Sequence, residues 1–166
     1  MKNIAMRLTL GLMLLGLLSA CGFQLRGQVA KLQSLPQPLA ISGVSPDSTF
    51  GRELHDQLRQ AGAQLTADSS MANATLRISA RNTAERVVGL DSRNRATEYE
   101  LMESMRFSLR EKGHGQRIPE QTLRVTRTLF APQNRVLSGQ QEAQTLREDM
   151  RRELVNRLIR RLSVLL

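Results

Sequence analysis

Three consecutive stretches of two-residue alternation, between residues 74 and 129, leave this chain few folds to choose from. In the first, Ala74, Leu76, Ile78 and Ala80 are apolar, while Thr75, Arg77, Ser79 and Arg81 between them are polar. The second sets Tyr99, Leu101, Met105, Phe107 and Leu109 against Glu98, Glu100, Ser104, Arg106 and Arg110. The third sets Leu123, Val125 and Leu129 against Thr122, Arg124, Thr126 and Thr128. Successive side chains of a strand point to opposite faces, so each stretch predicts a strand that is buried on one side and wetted on the other. Asp91-Ser92-Arg93-Asn94 and Gly113-His114-Gly115 supply turn chemistry at the two joins, and Ala131-Pro132-Gln133-Asn134 ends the run. The pattern predicts a three-stranded antiparallel meander. Such a sheet has one apolar face to cover.

Two amphipathic segments can cover it. Ser138 with Gln141 reads as a capping box, and Ala143, Leu146, Met150, Leu154, Leu158, Leu162 and Leu165 follow at helical spacings. Six arginines and four acidic residues decorate this segment, mostly off the apolar stripe. A helix of this kind can lie on a membrane surface, but a meander with an uncovered face favours the core reading. Upstream, Pro38-Leu39-Ala40-Ile41-Ser42 predicts a first short strand. Ser45-Pro46-Asp47-Ser48 then opens a helix whose stripe is Phe50, Leu54, Leu58 and Ala61, with Gly62 as its stop. The order is strand, helix, three-strand meander, helix. The expected fold is an α+β two-layer sandwich with both helices on one face of a mostly antiparallel sheet.

The N-terminus reads as a targeting segment. Lys2 and Arg7 precede an apolar run from Leu8 to Leu18, and Ser19-Ala20 leads into Cys21, the only cysteine. The run is too short for a membrane span, which needs roughly twenty apolar residues. Leu18-Ser19-Ala20-Cys21 resembles the bacterial lipobox, in which the cysteine thiol receives a diacylglyceryl group and the new amine is acylated after cleavage. A thiolate is the side chain nucleophilic enough for that alkylation. Residues 1–20 are thus expected to be a cleaved lipoprotein signal peptide, 21–37 a lipidated N-terminus and tether, and 38–166 a single domain. Gly22 follows the cysteine in place of the aspartate that retains lipoproteins at the inner membrane, which favours the outer membrane. More than one acyl chain on one residue makes a stable anchor.

Removing Lys2 and Arg7 leaves 22 basic against 15 acidic residues, a net charge of +7, and 20 of the basic residues are arginine. Arginine's planar fork pairs bidentately with phosphate and carboxylate, so the surface suits an anionic partner. Export argues against nucleic acid. So does the aromatic content, Tyr99 and four phenylalanines, which offers no evident platform for base stacking. No G-x-S-x-G elbow, phosphate-cradling glycine loop or H-E-x-x-H appears. His55 and His114 are far apart and without evident metal-ligand partners, and Glu98 with Glu100 reads as a pair of solvated strand residues. The chain reads as a non-enzyme with no metal and no cofactor beyond the covalent lipid on Cys21.

Cys21-Gly22-Phe23-Gln24-Leu25-Arg26 after the lipobox resembles the opening of the LPS-assembly lipoprotein LptE (RlpB) family. Ala96-Thr97-Glu98-Tyr99-Glu100-Leu101 is similar to that family's mid-domain strand start. Ala131-Pro132-Gln133, with the long helix ending Leu158-Ile159-Arg160-Arg161-Leu162, is similar to its C-terminal part. One departure is that the chain stops at Leu165-Leu166, without the polar tail of some members. The resemblance implies a plug inside the LptD β-barrel that helps the barrel assemble and contacts lipopolysaccharide on its way to the outer leaflet. It carries over no catalytic motif. For the lipopolysaccharide contact, physical reasoning points to Arg86, Arg93 and Arg95 around the first hairpin turn, with Arg135 in the loop before the last helix. Solubilising loop charge is the plainer reading of the same residues. The arginines of the strand faces, Arg77, Arg81, Arg106, Arg110 and Arg124, are the next candidates. An alternative function is a peripheral envelope lipoprotein that binds peptidoglycan or another anionic envelope component without a barrel.

Overall fold

The meander dominates the architecture. A computed structural model describes residues 32, 34–130 and 136–165, and in it the three alternating stretches form β3 (Ala74–Leu90), β4 (Ala96–Glu111) and β5 (Gly115–Phe130). β3 pairs antiparallel with β4, and β4 with β5. β1 (Leu39–Ser42) joins the other side of β3 in parallel, and β2 (Leu65–Thr66) lies parallel to β1 at the edge. The sheet order is β2-β1-β3-β4-β5. The two-residue β2 is an addition to the expected order.

α1 spans Thr49–Gln60, and the Gly51 amide donates to the Ser48 hydroxyl at 3.0 Å, the N-cap that the sequence anticipates. α2 spans Val136–Leu165. Ser138 therefore sits inside the first turn of α2 and not at its cap, a shift of the size by which helix ends fray. Phe50, Leu54 and Leu58 of α1 and Met150, Leu154, Leu158 and Leu162 of α2 share one core with Leu76, Ile78, Leu101, Met105, Phe107 and Val125 of the sheet. Both helices thus cover the same sheet face, completing the α+β sandwich. The stripe of α2 ends at Leu162, since Leu165 is 42% exposed, while Val155 and Ile159 widen it. Leu32 and Leu35, in the segment expected to be a tether, are buried in this core, and the Leu32 amide donates to the Ala61 carbonyl at 3.0 Å.

One expectation fails by a single residue. Ile78 pairs with Phe107 and Ala80 with Arg106, leaving Ser79 as an extra residue in a β-bulge. The bulge reverses the phase of β3. Ala80, expected on the apolar face, lies on the open face. Arg81, expected on the opposite face, stands opposite Met105 on the helix side and stays exposed, with its guanidinium carbon 3.9 Å from the centre of the Phe50 ring. Desolvation draws the Arg81 pKa below the usual arginine value, opposed by the charge of Glu103 and reinforced by that of Arg151. Gly43 tightens the same region. Its φ is +83°, and a Cβ there would meet the Ile78 carbonyl oxygen at 2.0 Å.

α2 is also tied to the β5 edge by polar side chains. Arg127 pairs with Glu153, Glu153 with Arg157, and Arg157 donates to the Arg124 carbonyl at 2.8 Å. Arg161 donates to the Gln121 side chain at 2.9 Å. Nearer the hairpin, Arg147 pairs with Glu85.

Candidate functional site

The helices leave the opposite sheet face open. Directly opposite residues in an antiparallel ladder share a face, so the pairing places Thr75, Arg77, Asn82, Ala84 and Arg86 of β3 beside Arg110, Ser108, Ser104, Met102 and Glu100 of β4. Thr122, Arg124, Thr126 and Thr128 of β5 continue it. The face is rich in serine, threonine and arginine. Of the strand arginines named from sequence, Arg77, Arg106, Arg110 and Arg124 stand on it, whereas the bulge turns Arg81 to the other side.

Two of its arginines bring their own acids. Arg86 pairs with Glu100 at 2.6 Å, and Arg106 with Glu120 at 3.3 Å. A depression of about 240 Å³ lies among Ala84, Arg86, Glu100, Met102 and Arg124.

β3 and β4 carry their turn to one end of the sheet. Asp91 organises it, accepting from the amides of Arg93 and Arg95 at 2.8 and 2.9 Å and from the Arg95 guanidinium at 2.8 Å. Asn94 adopts a left-handed φ of 60°. The Arg95 side chain, then its amide and that of Arg93, hold the Asp91 carboxyl below its ordinary value. Val87, Val88 and Leu90 are exposed on this hairpin, as is Phe130 at the end of β5.

The arrangement brings Arg93 and Arg95 to one turn and sets Arg86 back along the strand, engaged with Glu100. Arg95 is engaged with Asp91, so the Arg93 guanidinium is the turn's unpaired cation among the described residues. Arg135 and Cys21 lie outside the described residues.

A polar residue that sequence reading passed over is Glu103. It is 2% exposed on the helix side, opposite Thr83, whose hydroxyl donates to it at 3.0 Å. Its position between Leu101 and Met105 in the alternation was the available signal.

The family described as LptE, Lipopolysaccharide-assembly, matches residues 37–162. The LPS-assembly lipoproteins LptE of Yersinia pestis (strain Pestoides F) and Yersinia pseudotuberculosis serotype O:1b are each 28% identical over 163 residues, covering 98% of this chain and 77% of theirs. Among solved structures, the uncharacterized lipoprotein B from Nitrosomonas europaea superposes with a TM-score of 0.68 at 25% identity, covering 86% of this chain and 90% of that one. The rare lipoprotein B from Shewanella oneidensis gives 0.66 at 19% identity, covering 76% and 93%, which supports the fold.

Proposed function

The chain belongs to the LptE family of lipopolysaccharide-assembly proteins, and from that premise we propose that it plugs the LptD β-barrel, helps the barrel assemble, and binds lipopolysaccharide during insertion into the outer leaflet. In this reading it is held at the outer membrane by lipid on Cys21, and its work is binding and assembly without catalysis. The observation that carries the proposal is the open sheet face. Its serines, threonines and arginines form a hydrophilic surface on strands of 16 and 17 residues. The interior of an outer-membrane barrel is polar, so a plug must show it such a surface and keep its apolar face for its own helices. Among the described residues no helix is long and apolar enough to cross a membrane.

The hairpin turn suits the lipopolysaccharide contact. Exposed Val87, Val88 and Leu90 share the hairpin with Arg93, which forms no ion pair among the described residues, an apolar and cationic combination that fits a ligand with acyl chains and phosphates. Arg86, Arg95 and Arg135 complete the proposed contact, with Arg86 and Arg95 exchanging a carboxylate for a phosphate.

Gentle detergent extraction tests the partner. The chain should co-purify with an outer-membrane β-barrel, resist separation by salt and, when depleted, lower the amount of assembled barrel. A solitary monomer with unchanged barrel levels would select the peripheral-lipoprotein alternative.

A further inference from the structure

At the end of the open face away from the hairpin turn, two rows of side chains cross the sheet. Ser42 of β1, Arg77 of β3 and Ser108 of β4 pair in the first row. Thr75 of β3, Arg110 of β4 and Gln116 of β5 pair in the second. All six line one groove of about 400 Å³. Diagonal neighbours on paired strands stand about 7–8 Å apart, within reach of long side chains. Arg77 and Arg110 are such neighbours, so both guanidinium groups can serve one ligand.

The local acids are already engaged. Glu120, also on the groove wall, is held by Arg106 and the Ser79 hydroxyl. Glu111 is held by Arg117. Among the described residues neither Arg77 nor Arg110 forms an ion pair, unlike Arg86 and Arg106 on the same face. Arg77 and Arg110 thus concentrate two positive charges on one stretch of the face. Here they are ringed by three hydroxyls and an amide that can donate hydrogen bonds.

We propose that this groove is a binding site for a phosphate monoester, either free or as a lipid headgroup. The charge matches, because a monoester carries about −1.5 to −2 at pH 7 against two guanidinium groups, whereas a carboxylate would neutralise one. The geometry matches too. Each fork can donate two parallel hydrogen bonds to phosphate oxygens, and Ser42, Thr75 and Ser108 can serve the remaining acceptors. The site lies at the opposite end of the sheet from Arg93, so it stands or falls independently of the proposed lipopolysaccharide contact at the turn.

The test uses the full chain in neutral-detergent micelles, titrated with inorganic phosphate and, separately, with phosphatidic acid dissolved in the micelles. Binding is followed by phosphorus NMR. Arg77→Gln with Arg110→Gln should weaken binding about tenfold or more, the scale of lost charge-assisted hydrogen bonds. Arg59→Gln with Arg160→Gln removes the same charge from the exposed sides of the two helices and should leave binding unchanged. Arg77→Lys with Arg110→Lys keeps the charge but loses the forks, and should fall between wild type and the glutamine pair. Both arginines are exposed, so each variant should unfold at the wild-type temperature. A response to both probes supports a general monoester site, and a response to phosphatidic acid alone supports the headgroup. A response to inorganic phosphate alone supports the free anion. Equal binding by wild type and the glutamine pair, or no binding of either probe by wild type, would overturn the proposal.

Discussion

Leu154 and Arg152 stand two positions apart on α2 and meet different surroundings. Leu154 is fully buried, while the Arg152 side chain is exposed beside Asp149. Leu154→Asp should cost several kcal/mol, comparable with a domain's whole stability of about 5–15 kcal/mol. Arg152→Asp should stay within roughly 0.5 kcal/mol, and urea unfolding of the two variants checks both. At the hairpin turn, pH replaces mutation. The folded Asp91 carboxyl lies below its ordinary value of 3.8, so its contribution is complete above that value. It is lost as pH falls through the lower, folded value. The amide resonances of Arg93 and Arg95 should therefore move in that acidic window, and Asp91→Asn should abolish the movement. A pH response that survives the asparagine would assign it to another group. At this scale Leu154 was legible from spacing alone. Arg81 was not, because its guanidinium can lie over the Phe50 ring as readily as it can reach water.

Among the elements, the long periodic segments and the short β1 were legible, and the two-residue β2 and the bulge were not. The three long strands and both helices repeat their pattern over many residues, so the period outweighs any single exception. β2 has two residues and no period to read. The bulge at Ser79 was hidden because Ala80 is small enough for either face, so the alternation ran on unbroken through the phase change. The same limit applies to the candidate site. Arg93 and Arg95 could be placed at a turn from sequence, but the pairing of Arg86 with Glu100 depends on strand register. β5 is an edge strand, and α2 covers part of its rim through the Arg157 contact with the Arg124 carbonyl. An uncovered edge is a template for pairing with another chain. Arg157→Met should therefore raise self-association of the domain, read by light scattering, while changing stability by no more than about 1 kcal/mol. Unchanged scattering would show that the edge is protected by other means.

For the whole molecule, the proposed anchor and the folded domain can be tested apart. Cys21→Ser should abolish incorporation of radioactive fatty acid, because a hydroxyl is a poor nucleophile for the diacylglyceryl transfer. The domain should still fold, since the core formed by the described residues is complete without Cys21. Label persisting on the serine variant would remove the lipid assignment. The place of β1 in the sheet has a mechanical consequence. β1 is an internal strand, flanked by β2 and β3 and parallel to both. Tension transmitted to Leu39 along the strand axis loads the hydrogen bonds of both ladders in shear, all at once, instead of peeling them singly from a rim. Leu32 and Leu35 must be drawn out of the core before that load reaches β1. A pull through the proposed anchor would thus meet a strand clamped on both sides, with the force spread across the sheet.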